Sequence, residues 1–190
     1  MMLFRKKNYL STKEMIELEK KTKEKKLCQL VNKDDLLEEL SLKLEYVDTN
    51  KDKTWNKDTE AVLMPCESND FNGIIKIQDK YKNSKFAYVH EIVHYVIDAN
   101  CKKVTETYAR KTKGNTPDKH EQKINYITAA STMPIDEIRA RLSKYDASSP
   151  KEDELKMINE LSKKYQQKNS VIIRRIQEVR KIDAYCKLVK

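Results

Sequence analysis

The segment Phe86-Ala-Tyr-Val-His-Glu-Ile-Val-His-Tyr-Val96 decides how this chain is read. Phe86, Val89, Val93 and Val96, with Ile97 one step on, recur at helical spacing, and Ser84 offers an N-cap. The pattern predicts a helix from there to about residue 100. Positions four apart on a helix share a face, so the imidazoles of His90 and His94 point the same way and can bind one Zn2+ ion. Glu91, one residue along, is placed to act as general base toward an attacking water. The apolar neighbours would bury the helix, hold the ligands rigid and keep bulk water away. With 3 His and 17 Glu in 190 residues, independent placement gives only about 0.004 such pentads.

A catalytic zinc site needs a third protein ligand and one open position. Outside the pentad only His120 remains among the histidines, and Glu121 stands beside it at the start of the next predicted helix. A carboxylate there would complete a His2Glu set. In the alternative, His120 is the ligand and Glu121 merely favours the positive end of its helix. Asn125, one turn after Glu121, could orient a ligating imidazole from behind.

Upstream, Ser11-Thr-Lys-Glu14 has the form of a capping box and predicts a helix from about 12 to 31. A short helix over about 34–41 and three strands, 42–47, 61–64 and 73–77, precede the histidine helix. Residues 101–117 are polar and basic and read as a loop. Helices follow at about 118–131 and 135–142, with Pro134 between them, then a hinge or loop over 146–150. Two more helices, about 151–166 and 170–187, complete the pattern. The expected class is α+β, mainly helical, with a small sheet ahead of the histidine helix. Three parts are expected: a basic N-terminal helix over 1–33, a core over 34–145 and a helical portion over 146–190.

Composition excludes several classes. With Gly only at positions 73 and 114, neither of the common glycine-rich phosphate loops can form, so no nucleotide cofactor of those types is expected. No apolar run approaches the ~18–20 residues that cross a bilayer, and Met-Met-Leu-Phe-Arg-Lys-Lys does not read as a secretory signal. Cys28, Cys66, Cys101 and Cys186 form no C-x-x-C pair and read as reduced thiols. A cytoplasmic setting is the expectation, with no membrane partner. The net charge of +9 reads chiefly as lysine-rich solvated helix faces.

The stretch 86–96, followed by Glu121-Gln-Lys-Ile-Asn-Tyr-Ile-Thr-Ala-Ala-Ser-Thr-Met-Pro134, resembles the ImmA/IrrE family of metallopeptidases. That family's pattern is an R-F-T-x-x-H-E-x-x-H helix, a spacer, then E-x-x-A-N-x-F-A-x-x-L-L-M-P. His90, Glu91 and His94 match one for one, and Glu121 falls on the acidic ligand; Asn125, Met133 and Pro134 also match. Ile124, Ile127 and Ser131-Thr132 depart from it, replacing Ala, Phe and Leu-Leu. The resemblance, over about 34–180, implies a small antiparallel sheet beside the zinc helices. It also implies a cytoplasmic protease of bacteria, phages or mobile elements that cleaves helix-turn-helix repressors. Tyr126, Tyr108 and His120 are candidates for meeting the oxyanion.

A different reading rests on residues 161–177, which could form a helix-turn-helix with Ser170 as cap and Arg174, Arg175 and Arg180 near phosphates. The chain would then be a DNA- or regulator-binding protein whose zinc site is structural or no longer catalytic, and weak DNA contact is possible on this view. Against it, Val171, Ile172, Ile173 and Ile176 read as core and the arginines as solvated.

Overall fold

The computed structural model describes residues 10–33, 35–52, 54–56, 58–111, 118–144 and 151–189. The expected hinge at 146–150 lies outside them. Its class is α+β and mainly helical, with eight α-helices and a four-stranded sheet among the described residues. Contacts divide the chain into two compact units, 29–115 and 1–28 together with 116–190.

The unit over 29–115 contains the helix α3 (Leu36–Glu39), the strands β1 (Leu42–Val47), β2 (Thr59–Met64) and β3 (Gly73–Gln78), a 3-10 turn, the helix α4 (Lys85–Ile97) and the strand β4 (Tyr108–Lys111). The sheet order is β1-β3-β2-β4. β2 runs antiparallel to both neighbours, but β1 and β3 are parallel, Leu42 opposite Gly73 and Val47 opposite Gln78. The sheet is therefore mixed rather than antiparallel. β3, whose Ile75 and Ile77 are fully buried, takes the interior place between β1 and β2, which a chain of simple hairpins would not give it. Gly73 is required at the start of β3: a Cβ there would stand 2.7 Å from Val104 Cγ2. The polar segment after α4 is not wholly loop, since β4 pairs with β2 and so follows the histidine helix.

α4 packs on β2, β3 and β4, and its Ala87, Val89, Ile92, Val93 and Val96 are buried. Ser84 caps it by accepting from the Ala87 amide at 3.2 Å. Its end is marked by two left-handed residues, Asn100 (φ 51°) and Cys101 (φ 57°). Asn72 ties the helix down: its side-chain amide donates to the Tyr95 hydroxyl at 2.9 Å and to the Leu40 carbonyl at 3.0 Å.

The other unit holds α1 (Thr12–Glu24), α5 (Lys119–Thr132), α6 (Ile135–Leu142), α7 (Lys151–Tyr165) and α8 (Asn169–Leu188). Here the Ser11–Glu14 capping box forms as expected. The first helix ends sooner than its sequence suggests, at Glu24. Lys26 is left-handed (φ 51°), and the short α2 (Leu27–Leu30) follows. α1 packs on α5 and α8, and α8 also contacts α6 and α7. Ser131 and Thr132, which depart from the family pattern, are buried, with hydroxyls that donate to backbone carbonyls one turn back at 2.7 and 3.0 Å. That removes the cost of placing them in the core.

Arg175 does not behave as a surface arginine. It is fully buried, with Nη2 2.7 Å from Glu19 Oε1 and Nε donating to the Met133 carbonyl at 3.1 Å. It is therefore not placed to approach a phosphate, and withdrawing it would strand the Glu19 carboxylate without its cation. Arg174 and Arg180 remain on the surface, paired with Glu178 and Glu154. No described helix is long and apolar enough to cross a membrane, and the four cysteines form no disulfide.

Candidate metal centre

α4 presents its histidines as the spacing requires. His90 and His94 are buried, and their Nε2 atoms face each other at 3.2 Å. Two nitrogens bound to one zinc ion at 2.0–2.1 Å and a tetrahedral angle stand about 3.3 Å apart, so the separation of the pair is compatible with a shared cation. The rings meet edge to face, with centroids 4.8 Å apart and planes at 72°. Glu91 is equally buried on the same helix. His90 and His94 belong to a His/Glu group that could hold a metal ion, and donors of that kind, imidazole nitrogen and carboxylate oxygen, suit zinc.

Two further residues of this unit act on His94, and neither was singled out for that role by the sequence. Asp98 Oδ2 lies 2.6 Å from His94 Nδ1. The signal was available: Asp98 follows His94 by four, the spacing that pairs side chains on a helix. Tyr108, the first residue of β4, stacks on the His94 ring with centroids 5.0 Å apart and planes 24° from parallel. Its hydroxyl donates to Glu106 at 2.8 Å. Burial, aided by the Glu106 carboxylate, pushes the Tyr108 phenol up to about 12, so it stays protonated at neutral pH. No sequence pattern places Tyr108 on a ring fourteen residues back; β4 does.

Glu121 belongs to the other unit, at the third position of α5. Asp118 caps that helix by accepting from the Glu121 amide at 2.8 Å. Glu121 is half-buried and His120 exposed. Asn125 Nδ2 donates to the Glu121 carbonyl at 2.8 Å, a bond within its own helix. Tyr126 is not available to an oxyanion. It is buried, and its hydroxyl donates to Glu19 Oε1 at 2.8 Å.

No protein-family model matches the chain, and no curated protein matches it at a significant level.

Proposed function

We propose that this chain is a cytoplasmic zinc-dependent endopeptidase of the ImmA/IrrE kind, in which His90, His94 and Glu121 hold the metal and Glu91 is the general base. The observation that carries the reading is the pair of buried Nε2 atoms 3.2 Å apart on α4, with a buried glutamate next to the first. A zinc ion held there supplies Lewis acidity toward a water and a peptide carbonyl. The residues do the rest. α4, packed on the sheet with Val89, Val93 and Val96 buried, keeps the two imidazoles in register. Glu91 accepts a proton as the water oxygen bonds to the carbonyl carbon, and donates it to the amide nitrogen as the C–N bond breaks. The products are a carboxylic acid and an amine, which become carboxylate and ammonium at neutral pH.

The substrate class follows from the resemblance in the pentad and the Glu121–Pro134 stretch: a helix-turn-helix repressor of a phage or mobile element. The test is elemental analysis of the purified chain, followed by incubation with candidate repressors and mass spectrometry of the fragments. Zinc near one per chain is expected, with cleavage falling by about 10²–10⁴ in Glu91→Gln while zinc is retained. Absence of zinc would overturn the reading. Bound zinc without any dependence of cleavage on Glu91 would make the site structural and the chain a binding protein.

A further inference from the structure

We propose that Asp98 is a positioning residue that locks His94 in the tautomer bearing its proton on Nδ1, and so makes His94 Nε2 a metal donor. The inference rests on the reading of His90 and His94 as metal ligands.

A neutral imidazole carries one N–H, and which nitrogen has it depends on what faces the ring. An ionised carboxylate only accepts hydrogen bonds. With Asp98 Oδ2 2.6 Å from Nδ1, the proton sits on Nδ1 and points at Asp98. The lone pair is then on Nε2, directed to the place that His90 Nε2 also faces at 3.2 Å. Had the proton been on Nε2, it would have occupied that space and His94 would be no ligand. The negative charge beyond Nδ1 also raises the electron density that Nε2 can donate.

The location of Asp98 argues that the contact is there for this purpose. Asp98 is the C-cap of α4, where unpaired carbonyls make the end of a helix negative. A carboxylate there is unfavourable, and propensity alone would put a basic residue or an asparagine in its place. Its backbone amide donates to the His94 carbonyl at 2.8 Å, so the residue whose ring it meets also fixes its main chain. Tyr108 closes the remaining freedom. Stacked on the ring at 5.0 Å, it opposes rotation about the Cβ–Cγ bond, which would swap the two nitrogens.

Long-range nitrogen–proton NMR of the histidine rings, recorded on the whole chain after chelation and at slightly alkaline pH, reads the tautomer directly. His94 is expected in the Nδ1–H form in the wild type and in a mixture of forms in Asp98→Ala. Zinc affinity, measured by competition with a chelating dye, is expected to fall about 10–100-fold in Asp98→Ala, with Asp98→Glu recovering part of the loss. Should Asp98→Ala fail to fold, the isosteric Asp98→Asn is read in its place, with a mixed tautomer expected because an amide both donates and accepts. A wild-type His94 in the Nε2–H form would overturn the proposal, as would an Asp98 variant that binds zinc within twofold of the wild type. If the wild type binds no zinc while His94 still shows the Asp98-dependent Nδ1–H form, the metal reading has failed and the tautomer lock has not.

Discussion

Tyr126 on α5 donates its hydroxyl to Glu19 on α1 across 107 positions of sequence, at 2.8 Å. The same carboxylate oxygen lies 2.7 Å from Arg175 Nη2 on α8, and the Arg175 guanidinium stands over the Tyr126 ring at 5.4 Å. Three helices thus meet at one buried charge. Breaking such a group from one side leaves a carboxylate in the core, which costs about 3–5 kcal/mol. Arg175→Ala is expected to lose that much in urea unfolding. The Glu19→Leu/Arg175→Met pair, apolar on both sides, should recover most of it. A single-variant loss under about 1 kcal/mol would contradict the buried ion pair.

Glu14 supplies a pH dependence of known sign. The Lys119 ammonium, 2.8 Å away, and the Ser11 backbone and hydroxyl bring its carboxyl down from 4.5 to about 2. A carboxyl depressed in the folded state stabilises above its ordinary value and stops doing so as pH falls through the folded one. The link between the start of α1 and that of α5 should therefore weaken between about pH 4.5 and 2. A carbon-detected NMR titration should put the Glu14 midpoint near 2, and Lys119→Ala should raise it. A midpoint at the ordinary value in the wild type would refute the pairing.

At Gly73 the prediction concerns space. A methyl group would lie 2.7 Å from Val104 Cγ2 and 3.3 Å from the Met64 carbonyl, inside a sheet that cannot easily yield. Gly73→Ala should destabilise by about 1–3 kcal/mol. Adding Val104→Ala, which removes the offending methyl, should return part of that. Equal denaturation midpoints for wild type and Gly73→Ala would sink the idea.

If His90 and His94 hold zinc, the folded state gains by mass action. At zinc a hundredfold above its dissociation constant the gain is about 2.7 kcal/mol. Calorimetric melts with and without chelator should separate accordingly, and the separation should vanish in His94→Ala. A wild-type melt indifferent to chelator would count against the site.

Much of the local structure could be read from single residues. Ser11, Ser84 and Pro134 mark helix starts where the structure has them, and the pentad places two imidazoles together because that depends on helical pitch alone. What escaped reading needed distant partners or an unusual backbone. The parallel pairing of β1 with β3 sets side by side two strands with β2 between them in the chain, and no local pattern carries that. Helix ends were blurred because left-handed positions that glycine normally fills are held here by Lys26, Ser41, Asn100, Cys101 and Gln166, of which only Asn100 carries such a signal. Arg175 reads as solvated in a basic helix; only Glu19, 156 positions earlier, makes it core. Glu121 as third ligand drew most of its support from resemblance, since spacing favoured it only slightly over His120.

The unit formed by residues 1–28 and 116–190 is interrupted in sequence by the whole of 29–115, and this gives the chain an order of assembly. On a ribosome, 29–115 has all its strands and its histidine helix before α5 exists, and domains fold as they become complete. α1, although made first, must wait for α5 and α8 before Glu19 meets Tyr126 and Arg175. A product halted before residue 175 would keep the histidine pair but lack the cation its first helix is built around.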